Sequence, residues 1–123
     1  MSAREEAAAR ECPVFCAAST DGYRQVLPGI GLKTLVHGER TLFAEFRLSE
    51  GSALPSHAHP HEQTGYLVRG RMRLAIGGQT FDARPGDSWC IGGGVAHSAQ
   101  ALEDSVAIEV FSPVRLDYLP PEP

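Results

Sequence analysis

At 123 residues, with 42% hydrophobic side chains and a formal charge of −4, the chain has the size of one domain that can bury a core without disulfide or metal staples. Its eleven Lys and Arg are scattered, which argues against a nucleic-acid partner, and no apolar run reaches the length of a membrane span. The start, MSAREEAAARECP, carries Glu5, Glu6 and Glu11 without an apolar stretch, and Cys12, Cys16 and Cys90 follow no pairing pattern, so the expectation is a cytoplasmic protein with free thiols.

In chain order, residues 1–20 read as an extension. Positions 2–11 are rich in Ala and Glu and suit a short helix, but an isolated helix of that length is marginal in water, so disorder is an equal expectation. From 21 to 118 the texture is one domain of short β-branched and aromatic runs cut by Gly and Pro. KTLVHG (33–38), TLFAEFRLS (41–49), GYLVRGRMRLAI (65–76), QTFDA (79–83), SWCI (88–91) and SVAIEVF (105–111) read as strands. Two alternate cleanly: Leu42, Ala44, Phe46 and Leu48 against Thr41, Phe43, Glu45 and Arg47, and Met72, Leu74 and Ile76 against Arg71 and Arg73. Gly77-Gly78 is a two-residue hairpin signal, since both positions can take positive φ. Trp89 and Cys90 are expected in the core. No helical period is sustained after residue 20, so an all-β sandwich or barrel is expected, followed by an extended tail at 119–123.

Three of the five histidines, His57, His59 and His61, occupy alternate positions. In a strand His57 and His59 share one side. Pro60 then ends that strand, and Gln63 enters the next one beside it, aimed at the same spot, while Glu62 takes the other side. Imidazole suits transition ions, although H-x-H alone also fits a hydrated polar loop. His61 is expected on the exposed turn after Pro60, with a place in the pocket as the alternative; His37 belongs to neither of the two motifs that follow it in the chain. In the last run Val106, Ile108 and Val110 make one face, leaving Ala107, Glu109 and Phe111 on the other. A carboxylate there must face water or line a polar cavity. A surface ion pair between Glu109 and Arg115 is the plainer alternative.

Gly51, His57-x-His59, Gln63 and Gly70 resemble the first cupin motif, G-x5-H-x-H-x3-E-x6-G. Gly86, Gly92, Gly94 and His97 resemble the second, G-x5-P-x-G-x2-H-x3-N. The resemblance implies a jelly-roll barrel with a divalent ion held by His57, His59, Gln63 and His97; Zn, Ni, Fe, Mn and Co all suit such donors. Gln63 stands where Glu is usual, Gly92 where Pro is usual and Ala101 where Asn is usual. Gly92-Gly93-Gly94 remains a turn, only a looser one. A neutral Gln63 leaves the ion its full charge, for a stronger Lewis acid and a weaker hold; a decayed, empty site is the alternative.

The strings HPHEQTGYLVRGRMRLAIGG and FSPVRLDY further resemble the KdgF-type cupins of pectin and alginate breakdown, which open the ring of unsaturated uronates. That family holds its metal with three His and a Gln. Its Asp-x-Phe-x-x-x-Arg stretch falls on Glu109, Phe111 and Arg115, with Glu109 one methylene longer. The resemblance implies an anionic sugar substrate, with Arg115 bidentate on its carboxylate, Phe111 against the ring and Glu109 as general acid or base. Two other functions fit the same fold: a metal-dependent oxygenase or lyase of a small organic acid, marked by oxygen uptake, and a non-catalytic small-molecule binder, marked by stabilisation without turnover. Cupins commonly dimerise, and Phe15, Leu32 and Phe43 are candidates for the apolar surface of a homodimer.

Overall fold

The computed structural model describes residues 14–119; the Ala- and Glu-rich segment 2–11, Cys12 and the tail beyond Leu119 lie outside the described residues. Ten strands form in that span: β1 Arg24–Leu27, β2 Ile30–His37, β3 Leu42–Leu48, β4 Ala53–His57, β5 Glu62–Arg69, β6 Met72–Ile76, β7 Gln79–Ala83, β8 Ser88–Ile91, β9 His97–Ala101 and β10 Ser105–Ser112. A single 3₁₀ turn, Leu116–Tyr118, follows. The strands make two antiparallel sheets, β1-β2-β3-β10-β5-β8 and β4-β9-β6-β7, with the core between them. No helix among the described residues is long and apolar enough to cross a membrane.

Alternation decides which side of each strand enters that core. Leu42, Ala44, Phe46 and Leu48 of β3 are at most 4% exposed, while Phe43, Glu45 and Arg47 lie on the more open side. Met72 and Leu74 join them from the other sheet, and Leu67, Ala107 and Phe111 complete the cluster. Burying an aliphatic side chain of this size contributes about 2 kcal/mol. Leu32 belongs to the same core at 1% exposure, so it supplies no surface for association.

The run 65–76 is two strands. β5 lies in the six-stranded sheet and β6 in the four-stranded one, and the chain crosses between them at Gly70, whose φ is 94°. The Gly77-Gly78 hairpin is in place, with φ of 56° and 89° joining Ile76 to its partner Gln79. Strands β1 and β9 fall outside the runs legible as strands, and β4, expected to carry His59 and end at Pro60, ends at His57; ALPSH and HSAQA are short and mostly polar or small. β4 is an edge strand, which is why Pro55 can sit in it at no cost to an inner ladder.

Candidate metal centre

The sandwich delivers the histidines from neighbouring strands and one loop. His57 ends β4, His97 begins β9, and the two are cross-strand partners, with ring centroids 4.2 Å apart. His59 lies in the loop leaving β4, its ring 4.9 Å from that of His97 and 5.6 Å from that of His57. One ring nitrogen from each lies within 4.8 Å of the others. Gln63 reaches the cluster differently from the sequence expectation. Its strand is not beside that of His57: β4 and β5 belong to different sheets, so Gln63 meets the imidazoles across the sandwich. The loop 58–61 makes that crossing, and Gly94 of the GGG turn pins it by donating its N–H to the His59 carbonyl at 2.8 Å.

Each imidazole has its Nδ1 on a main-chain carbonyl: His57 on Pro55 at 2.9 Å, His59 on His61 at 3.1 Å and His97 on Val95 at 2.8 Å. A carbonyl only accepts, so Nδ1 carries the proton and Nε2 keeps its lone pair. Burial, then the positive charge of Arg115 and the ring of His97, lowers the pKa of His59. Burial also lowers that of His97, with His57 and Arg115 adding to it. The rings of His59 and His97 therefore favour the neutral form, and all three rings are aimed by their carbonyl contacts, as metal ligation needs. His97 Nε2 is buried without a hydrogen-bond partner among the described residues, which costs stability until something fills it.

A second contact points the same way. His59 Nε2 lies 3.0 Å from Gln63 Oε1. With His59 protonated at Nδ1, both atoms are acceptors, and two lone pairs at that distance repel unless a cation lies between them. The spacing is about that of two neighbouring ligands each ~2.1 Å from one transition ion. The donor set thus fits a divalent transition ion.

Around the triad, cross-strand register builds the pocket. Ala44, Glu109, Gly65 and Trp89 lie in one row across β3, β10, β5 and β8. Gly65 has no side chain, and a Cβ there would overlap the Trp89 indole, which crosses β5 at this point to donate its Nε1–H to Glu109 Oε1 at 3.0 Å. Gln63 Nε2 donates to Glu109 Oε2 at 2.6 Å. Burial pushes the Glu109 carboxyl up to about 7, against the opposing pull of those two hydrogen bonds and of the Arg115 charge. Glu109 thus lines the cavity, and the outward face of β10 is the Val106, Ile108 and Val110 side.

Arg115 does not pair with Glu109 at the surface. It donates Nη2 to Asp117 Oδ2 at 2.7 Å and Nε to Asp117 Oδ1 at 3.2 Å, and its guanidinium lies 3.9 Å above the Tyr118 ring and 5.1 Å from that of Phe111. That ion pair, outweighing burial, holds the Asp117 carboxyl below the usual range. Two Arg115 donors are therefore taken by its own loop. Arg24 donates to the Asp117 carbonyl at 2.8 Å and Thr34 to that of Tyr118, strapping the segment over the barrel end. His57, Gln63, His97, Trp89, Glu109, Phe111, Arg115 and Tyr118 line one cavity of about 40 Å³, room for an ion and one or two waters. His61 is not exposed on its turn: it is half-buried, its ring edge-on to His59 at 5.4 Å. His37 ends β2 and is not in the triad.

Residues 44–112 match the cupin domain family. The chain is a cupin. This cupin is similar to the pectin degradation protein KdgF of Dickeya dadantii (strain 3937), 28% identical over 93 residues, which is 74% of this chain and 84% of the relative. The structure of KdgF from Halomonas sp. superposes with a TM-score of 0.81 at 32% identity, over 85% of this cupin and 97% of that chain. An RmlC-like cupin from Shewanella frigidimarina NCIMB 400 gives 0.82 at 24% identity, over 85% and 95%, a likeness of fold.

Three residues of the site escape the sequence reading: Trp89 and Tyr118, which line the cavity, and Asp117, which holds Arg115. Trp89 and Cys90 are both expected in the core, yet adjacent strand residues point to opposite sides, and of the two Trp89 packs against the core. Trp89 turns inward to Glu109 and Cys90 is exposed, its thiol free. Asp117 and Tyr118 follow Arg115 in the string RLDY, where an acid two residues from an arginine was the available signal.

Proposed function

We propose that this cupin opens the ring of an unsaturated uronate monosaccharide, with His57, His59, Gln63 and His97 holding one divalent transition ion. What carries the reading is that His57, Gln63 and His97 line one cavity with Glu109, Phe111 and Arg115, with His59 completing a three-His group whose ring nitrogens lie within 4.8 Å of one another, in a chain similar to two KdgF proteins.

The cavity floor is too small for a sugar, so the sugar sits at the mouth. There the free edge of Arg115 takes its carboxylate beside the half-buried Tyr118 ring, while Phe111, only 1% exposed, packs behind them and does not reach the sugar. A bound divalent ion supplies Lewis acidity for oxygen atoms that gain negative charge. Ring opening is an isomerisation. A base removes the proton of the anomeric hydroxyl, the bond from the anomeric carbon to the ring oxygen breaks, and its electron pair moves onto that oxygen to give an enolate. Proton delivery to the far carbon of the double bond then yields the linear keto-aldehyde. Glu109, poised near neutrality, can hold or release the proton in these transfers. The test mixes purified, metal-loaded protein with freshly made unsaturated galacturonate and follows the double-bond absorbance. Loss of absorbance faster than in buffer is the expected result, and a rate equal to buffer excludes the reading.

A further inference from the structure

We infer that Glu109, anchored by Trp89, is the positioning residue for the metal centre: it fixes which end of the Gln63 carboxamide faces the three imidazoles and supplies from behind the negative charge that the ligand set lacks. The inference rests on the reading that these residues hold a metal, and adds to Glu109 a role separate from proton transfer.

A carboxamide has two ends that differ little in shape. Facing the imidazoles with Oε1, Gln63 offers a ligand; facing them with its NH₂, it offers a donor that no cation accepts. The choice is made at Glu109. Both carboxylate oxygens there are engaged, one by Gln63 Nε2 at 2.6 Å and the other by Trp89 Nε1 at 3.0 Å. In its ionised form Glu109 only accepts, so Gln63 presents its NH₂ to it, and Oε1 is left 3.0 Å from His59 Nε2. Trp89 keeps the acceptor from swinging away, and it reaches Glu109 because Gly65 leaves its path open. Donation from Nε2 to an anion also draws electron density toward Oε1, making the amide oxygen a better ligand. The neutral set read from Gln63 alone is thus incomplete: the charge that a ligating Glu carries in other cupins stands one hydrogen bond further out. Groups of this kind typically set metal affinity by 10–100-fold.

The experiment measures Zn²⁺ affinity of metal-stripped full-length protein against a chromophoric chelator, with Co²⁺ absorption as the signature of ligand geometry. Glu109→Gln is expected to bind Zn²⁺ about 10–100-fold more weakly and to change the Co²⁺ spectrum, because an amide cannot accept from both neighbours. Trp89→Phe keeps the ring and removes the N–H, for a smaller loss in the same direction. The double change Gln63→Glu with Glu109→Gln, which exchanges carboxylate and amide, is expected to restore affinity to at least the wild-type level. That recovery separates orientation from misfolding. Wild-type affinity and spectrum in Glu109→Gln would overturn the inference and leave the metal centre standing; a wild type that binds neither ion would remove the centre itself.

Discussion

Titration at the centre pulls in two directions. His59 and His97 have lowered pKa values, so as pH falls below about 6.5 the unfolded chain takes up protons that the native rings refuse. Their contribution is fully present above that value and is lost on acidification. Glu109 runs the other way: its carboxyl titrates at about 7 in the fold against an ordinary 4.5, so it favours the folded state below 4.5 and loses that effect as pH rises through 7. Metal-free Glu109→Gln should therefore gain thermal stability more steeply than wild type between pH 5 and pH 7, as read by melting temperature. At Gly65, an alanine would displace the Trp89 indole; Gly65→Ala should lose about 2 kcal/mol in denaturant unfolding, the usual cost of overpacking. The ligand types were legible in the sequence because His57, His59, Gln63 and His97 fall where two motifs resemble those of the cupins. The roles of Trp89 and Asp117 were not, since each depends on a partner seen only once strands are in register or a loop has closed.

Among the elements, strands with a strict two-residue period read correctly, because one face of β3 or β6 meets the core and the other does not. β1, β4 and β9 carry little such contrast, and β5 and β6 merge in sequence because both are apolar up to the corner at Gly70. The closing segment after β10 was the least legible, as it has no period and acquires its place from Arg24 and Thr34. Its ion pair is testable. Asp117→Asn removes the charge that holds Arg115; the expected outcome is a several-fold higher KM for the unsaturated uronate with unchanged metal content, as measured by steady-state kinetics beside elemental analysis.

For the whole molecule, the sandwich brings three lone-pair nitrogens together at a cost that a bound cation offsets. Saturating the centre at about a hundred times Kd should add about 2.7 kcal/mol, a rise in melting temperature of about 10 °C for a domain of this size. Chelator should reverse it, and calorimetry with and without Zn²⁺ checks both. The most direct measurement is elemental analysis of untagged protein reconstituted with metal and desalted, wild type beside His57→Ala/His59→Ala. One ion per chain in wild type and none in the double variant is the expected result; metal-free wild type, or equal metal in both, would contradict it.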